Sequence, residues 1–582
     1  MMKVNYFNKC KKLLSNNKNA VIWSCIFIML QAIVSIASSI FSAYYGIDVA
    51  LVSKSVDKLI FASVVILTLG ILDTILFHLM YRKGINVCKR LGVEVREKVY
   101  NKAIYLDMDY HNHHASGAIL NTIDYDVDLF SNGVTWTLPM LLRSAIRIIV
   151  CFLIVTILNI KLSIILWIIA PTFAVISYFV SKKIESVHEK RRRVNKQRIA
   201  YINEGIMGVK TIKSLNLEEN AKEEFAVFNK KYLSYRLKQC GYMQVFWRCF
   251  DIAFYGALAA LFIMSYKLSV SYGELYLYYT LFRLCLNSIT DLSNNIDAFL
   301  ESIVSTNKVY DLLNYVPLIK DKEEAIDKQD DLIGDISFEN IKFTYPKGET
   351  VLDNFNLKIP NKTKVAIVGK TGSGKSTIAS LLFRFYEPNE GKRIIDGIDY
   401  TNYKIQYLHD QIGFILQEPL LFDDTILNNV KYGKKDANDS EVIEACKVVG
   451  TDEFISKLKD GYYTNIGEGG ILLSVGQKQL LSFARLVLSN PNIIILDEAT
   501  SNIDSHTEQI IQKNIDELFK DKTCVYIAHR LSTIRNVDKI IYLDKGKIVE
   551  EGNHEQLMKL NGKYATLYNN QFVESNLKKI LE

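Results

Sequence analysis

Proline is scarce in this sequence, eight of 582 residues, which excludes a collagen-like chain and a proline-rich linker. Charge is thin as well. Asp, Glu, Lys and Arg make up 23% against 49% hydrophobic residues, too much apolar matter for a disordered chain. The 70 basic and 63 acidic residues leave +7 with no concentrated basic patch, so no nucleic-acid partner is expected. Nine cysteines form no Cys-x-x-Cys pair and no His/Cys ligand spacing, so they read as free thiols rather than a zinc site or a disulfide framework. The run HNHH at 111–114 reads as surface, not as a metal centre.

What the sequence has is an uneven distribution of its apolar residues. A mean hydropathy of +0.08 averages long uncharged runs between 19 and 300 with an ordinary water-soluble stretch from 335 to 582. A hydrocarbon core of about 30 Å needs roughly 20 helical residues to cross it. Six segments meet that length: 19–47, 59–81, 138–160, 162–181, 239–266 and 268–300. The second carries only Asp73, the third only Arg143 and Arg147, and the fifth Arg248 and Asp251. The sixth is the most polar, with Glu274, Arg283, Asp291 and Asp297.

Basic residues accumulate on the cytoplasmic side. Residues 1–20 hold five lysines and no acid, and 182–240 holds 15 Lys or Arg against seven acids. Both termini and the soluble part are therefore expected in the cytoplasm of a multi-pass protein of the plasma or inner membrane. The first run is too long for a cleaved signal peptide. The two long connections, 82–135 and 182–240, lack Pro and Gly clusters and repeat apolar residues near every 3.6, so they are expected to extend the membrane helices into the cytoplasm. Their tips are expected near Gly117 to Asp126 and Glu204 to Ser214. Arg143 and Arg147 share a helix face, and Arg248 and Asp251 are spaced to pair. Asp73, Asn287, Asn294 and Asp297 are expected to line an aqueous cavity. Tyr272, Tyr276, Tyr278 and Tyr279 read as an interfacial belt.

In the soluble part, KVAIVGKTGSGKSTIASLLF sets an apolar strand before a glycine-rich loop and a helix. Gly369, Lys370, Thr371, Gly372, Ser373, Gly374, Lys375, Ser376 and Thr377 would cradle phosphates with backbone N–H groups, the helix N-terminus and the Lys375 cation, and Ser376 would hold magnesium. NIIILDEAT makes a second buried strand that ends in two carboxylates. Asp497 is placed to steady magnesium, and Glu498 to orient or deprotonate an attacking water.

Ser474, Val475, Gly476 and Gln477 head the helix KQLLSFARLVLS, 20 residues before Asp497. With the phosphate loop upstream, this resembles the signature of ATP-binding cassette (ABC) proteins. The resemblance implies that Tyr345 stacks on adenine, that Gln417 senses magnesium and the interface, and that Glu468 contacts the membrane part. It also implies an interface role for Asp504 and a terminal-phosphate contact for His529. ASGAILNTIDYDVDLF and NEGIMGVKTIKSL look like the loop tips of exporter half-transporters, so the likeness spans nearly the whole chain.

The expected architecture is an all-α transmembrane domain of six helices with long cytoplasmic extensions over 1–317, a linker at 318–334 and an α/β phosphate-loop domain of ABC type over 335–582. The expected activity is ATP hydrolysis with Mg2+ driving export of a lipophilic, amphipathic or peptidic compound. In the family, Ser474, Gly476 and Gln477 act on a partner's nucleotide, which makes the partner a second half-transporter. Val475 stands where the family usually has glycine and tips the reading from homodimer toward heterodimer. An importer on the same helices, or an ATP-dependent sensor, is the alternative.

Overall fold

The computed structural model describes residues 2–14, 18–327, 331–346, 348–497, 519–527 and 534–570. The chain divides into two compact units: 1–105 with 114–315, and 106–113 with 316–582.

The first unit is helical. It contains α1 (Met2–Leu14), α2 (Lys18–Phe41) running on as a π-helix through Leu51, and α3 (Val56–Ile104). After the short α4 (Met108–His113), which belongs to the second unit, come α5 (Ser116–Asn121), α6 (Val127–Asn132) and α7 (Leu138–Leu158), joined by π-helical turns. The unit closes with α8 (Ile160–Met207), α9 (Val209–Ser214), α10 (Glu218–Leu268) and α11 (Tyr272–Leu313). At two of the breaks a polar side chain takes orphan backbone donors of the helix start. Asn159 alone separates α7 from α8, and its side chain accepts from Lys161 N and Leu162 N. Ser271 caps α11 by accepting from Glu274 N, while Asp48, 225 residues away, accepts from Gly273 N at 2.7 Å.

Among the described residues five helical stretches are long and apolar enough to cross a membrane: Val21–Leu51, Val56–Ile104, Ser116–Leu158, Ile160–Met207 and Glu218–Leu268. The more charged α11 is not one of them. It nevertheless sits in the packed centre of the unit, where Leu277, Tyr278, Leu281, Phe282, Cys285 and Leu286 meet Val155, Leu162 and Leu261. Tyr278 is fully buried, its hydroxyl donating to Val155 O at 3.4 Å, so it is no part of an interfacial belt; Tyr272 and Tyr276 are exposed. Ile60, Val64, Leu67, Ile71 and Ile75 on α3 are each about half exposed or more.

The first loop tip lies earlier than its glycine suggests. The reversal comes at Tyr105–Asp107, where Asp107 Oδ1 accepts from Tyr110 N to start α4. Residues 117–126 continue as helix, and the fully buried Asp126 accepts from Ser305 Oγ and Lys308 Nζ of α11. Gly117, near a helix start, is tolerated there and turns nothing. The second tip falls around Gly208–Leu217, overlapping the expected 204–214.

The second unit carries two sheets. Its first strands are β1 (Ile336–Thr344), β2 (Thr350–Ile359), β3 (Lys364–Gly369), β4 (Glu390–Ile395) and β5 (Ile398–Asp399). They are followed by β6 (Ile412–Ile415), β7 (Ile493–Asp497), β8 (Thr523–Ile527), β9 (Lys539–Asp544) and β10 (Lys547–Gly552). An antiparallel sheet has the order β2-β1-β4-β5; the other, β10-β9-β3-β8-β7-β6, is parallel except at its β10 edge. The helices are α12 (Lys375–Leu382), α13 (Ile405–Gln411), α14 (Ile426–Lys431), α15 (Asp439–Val449), α16 (Asp452–Ile455), α17 (Val475–Ser489) and the C-terminal His554–Leu560.

Apolar runs such as IIIL in β7 bury both faces, as parallel strands require. Ile493 and Ile495 join α12 in one core, whereas Ile494 and Leu496 join α14, α15 and α17 in another. Residues of the polar stretch 318–334 are held by this unit: Ile326 N donates to Asn402 O, Lys404 N donates to Ile326 O, and Lys322 Nζ reaches Thr401 and Asn402.

Candidate nucleotide site

Strand β3 delivers the glycine-rich loop to the edge of the parallel sheet. Gly369 has no room for a side chain, since a Cβ there would lie 2.1 Å from Leu543 O of β9. Gly374, at φ +106, caps α12 in the left-handed region. Lys375 is buried, its Nζ donating to Gly369 O at 2.8 Å and to Lys370 O at 3.1 Å, so the ammonium is folded into the loop. Ser373 is 4% exposed, and its Oγ is a buried polar atom without a hydrogen-bond partner. An orphan hydroxyl, a buried cation and a helix start in one glycine cradle fit a polyphosphate. Lys370, Thr371 and Ser376 are exposed on the same loop.

The strand register brings the second motif alongside. Asp497 pairs with Ile527, which pairs with Ile367, so the carboxylate stands two residues below Gly369 on the neighbouring strand but one. Gln417 follows β6 at the same edge and is exposed. Open parallel sheets bind ligands at this edge, beyond the carboxyl ends of the strands. Ser376, Gln417 and Asp497 offer only oxygen donors on their side chains apart from the amide nitrogen, a set suited to a hard cation such as magnesium. Tyr345 borders the loop through its hydroxyl, 3.1 Å from Thr377 Oγ1.

The signature helix stands on the other core. Ser474 caps α17 by accepting from Gln477 N at 3.3 Å, and Gln477 Oε1 accepts from Ser474 N at 2.9 Å, a reciprocal capping box. Ser474 is exposed, Val475 is 47% exposed and Gly476 is half-buried, so valine disturbs no packing within this chain. Glu468 is exposed in the turn Glu468–Gly470. Arg485, which the sequence motifs leave unassigned, fastens α17: its guanidinium donates to Asn429 O, Leu420 O and Asn429 Oδ1, and burial pushes its pKa down. Three further expected site residues, Glu498, Asp504 and His529, lie outside the described residues.

Several charged groups within the spans of the helical unit have side-chain partners. Arg147 Nη2 donates to Gln31 Oε1 and Ser35 Oγ of α2, and Gln31 Nε2 donates to Asp73 of α3. Arg143, four residues before Arg147 on the same helix, meets Asp291 of α11 at 3.6 Å. Arg248 and Asp251 pair at 3.1 Å as their spacing predicts. Asn287, Asn294 and Asp297 form an exposed stripe on α11. None of the nine cysteines is in a disulfide, and no group of three or more His, Cys, Asp or Glu is placed to hold a metal among the described residues.

Residues 21–289 match the model of the ABC transporter transmembrane region, and residues 352–501 match that of the ABC transporter ATP-binding part, described simply as ABC transporter. The chain is 33% identical to YknV of Bacillus subtilis, an uncharacterised ABC transporter ATP-binding protein, over 94% of this chain and 91% of YknV. It is 30% identical to an ATP-dependent lipid A-core flippase of Desulfotalea psychrophila, over 94% of this chain and 96% of the flippase. A solved bacterial Atm1-family ABC exporter with ATP bound matches with a TM-score of 0.80 at 25% identity, over 95% of this chain and 99% of the exporter.

Proposed function

The chain belongs to the ABC transporter family, a membrane protein of exporter type whose ATPase is coupled to transport, and on that premise we propose that it is one half of a dimeric exporter of lipophilic or amphipathic compounds. One observation carries the dimer. The phosphate loop and the signature rest on different cores of the same unit, and the signature helix presents Ser474 and Val475 to solvent. The exposed start of this helix, its capping box notwithstanding, presents the positive end of the helix dipole to a second chain's nucleotide. Tyr345 takes the adenine, Lys375 and the loop N–H groups take the phosphates, and the partner's Ser474 and Gly476 close over the terminal phosphate. Magnesium, held by Ser376, Gln417 and Asp497, would neutralise charge on the phosphates. Glu498 orients the attacking water and His529 the terminal phosphate, so the chemistry is positioning and electrostatics.

In this reading α11 is the sixth span, tolerating charge because it faces the unit's centre and, through Asn287, Asn294 and Asp297, an aqueous path. Both termini and the nucleotide unit are cytoplasmic. The lipid-linked substrate named for the flippase relative supports an amphipathic cargo here. The paired Arg143, Arg147, Asp73 and Asp291 select no single charge.

The test is transport in inside-out proteoliposomes with a fluorescent short-chain phospholipid and a lipophilic cationic dye as probes. The wild-type chain should move at least one probe on addition of MgATP, and Glu498→Gln should abolish that movement while still binding ATP. Glu498-dependent hydrolysis with no ATP-driven movement of either probe would overturn export of this class and favour a regulatory ATPase.

A further inference from the structure

We propose that a slot between α7, α8 and α11 binds a lipophilic cation, its apolar body held among these helices and its positive charge against Glu185 and Asp297. Use of the site in export rests on the exporter reading above. Its occupation does not.

The slot has a volume of about 420 Å³, within the range of small-molecule sites. Phe152 of α7, Pro171 and Tyr178 of α8 and Ile296 of α11 wall it, and Ser181 and Ser293 are among its few polar groups. All of these residues belong to one chain, so each half of a dimer would hold its own site. Residues four apart lie one above the other on a helix, about 6 Å along its axis. Glu185 therefore continues the wall past Ser181 on α8, and Asp297 continues it past Ser293 on α11.

Charge decides which amphiphile fits. The charged groups close enough to act on the Asp297 carboxylate are Glu185 and His188 of α8 and Glu301 of α11, so two of the three are acidic. The basic residues of these helices are engaged elsewhere. Arg192 Nη1 lies 3.7 Å from Glu301, Lys182 Nζ lies 6.0 Å from the centre of the Tyr178 ring, and Lys183 Nζ lies 5.8 Å from that of Tyr242 on α10. On α7, Arg143 meets Asp291, and Arg147 donates to Gln31 and Ser35. Among the described residues neither Glu185 nor Asp297 has an ion-pair partner. Carboxylates gathered at one end of an apolar slot repel each other, and a ligand's cation relieves that cost. An anionic head group would add to it.

The test is equilibrium binding of radiolabelled tetraphenylphosphonium to full-length protein in lipid nanodiscs without nucleotide. Empty nanodiscs give the blank for partition into lipid, and tetraphenylborate supplies the same shape with the opposite charge. The wild type should bind the phosphonium saturably and in preference to the borate. Asp297→Asn and Glu185→Gln should each weaken phosphonium binding roughly three- to fivefold, what one solvent-facing ion pair supplies, and Asp297→Glu should retain it. Ala174→Trp, which fills the slot, should abolish it. No saturable binding by the wild type, or equal binding by wild type, Asp297→Asn and Glu185→Gln, overturns the inference. So does a loss in Asp297→Glu as large as in Asp297→Asn, which would mean that the side chain only packs. Carboxylate-dependent binding without MgATP-driven movement of the phosphonium in proteoliposomes upholds the site and counts against the exporter reading alone.

Discussion

At the scale of single residues, the two tightest glycines of the loop separate folding from binding. A side chain at Gly369 would collide with the backbone of β9, which cannot give way without parting the sheet. At Gly374 the nearest atom is Val351 Cγ1 at 3.3 Å, a flexible methyl, and the difficulty is the left-handed backbone at φ +106. Gly369→Ala should therefore lower the melting temperature of the nucleotide unit and lose ATP binding with it. Gly374→Ala should fold, yet bind a fluorescent ATP analogue roughly tenfold more weakly, because about 1–2 kcal/mol of strain pulls the loop out of its cradle. Calorimetry and an equilibrium titration distinguish the two; equal melting losses would mean that Gly374 also holds the fold together.

At the scale of elements, what the sequence makes legible is what is local. Helix lengths, the single-residue break at Asn159, the strand before the glycine loop and the strand ending at Asp497 all follow from runs and caps within a few residues. What it hides is long-range. Nothing near Asp48 reveals that it caps α11, and the polar stretch around Gly117 reads as a turn because only packing against Ser305 and Lys308 makes it helix. Arg485 is hidden for the same reason, because its acceptors lie 56 and 65 residues away. Since it donates charge-assisted bonds to Asn429 and Leu420, Arg485→Ala should cost about 2–3 kcal/mol in the nucleotide unit. Arg485→Lys should recover little, an ammonium being unable to span the fork. Denaturant melts of both variants check this, and full recovery by lysine would show that charge alone suffices.

A titrating group sits at the same level of organisation. His409 of α13 stacks on Phe383, just past α12, with ring centroids 4.2 Å apart, and its Nε2 lies 2.9 Å from Phe383 O. Burial holds its pKa below the ordinary 6.5. The unfolded chain therefore binds the proton first, so this contribution to stability is complete above pH 6.5 and declines as the pH falls below it. The melting temperature of the nucleotide unit should drop between pH 7.5 and pH 5.5, and His409→Gln should flatten that slope. An identical slope in the variant would place the titration elsewhere.

For the whole molecule, the open question is whether one chain's signature serves its own phosphate loop or another's. The answer shows in a mixture. Lys375→Ala destroys a phosphate site and Ser474→Arg destroys a signature, and each variant alone has no intact pair in any dimer. If the catalytic pair is shared across a two-fold interface, a mixed dimer has one site with both defects and one with neither. Random mixing at equal amounts then makes half the dimers mixed and restores about a quarter of the intact sites. ATP turnover of the co-expressed variants should rise from background to about that fraction of the wild type. Were each chain to use its own signature, mixing would restore nothing, because every chain would carry one broken half. A wild-type chain that turns over no ATP alone, yet does so with a second kind of half-transporter, would assign Val475 to a mixed pair; the same two variants, each paired with that partner, then show which of the two sites burns the nucleotide.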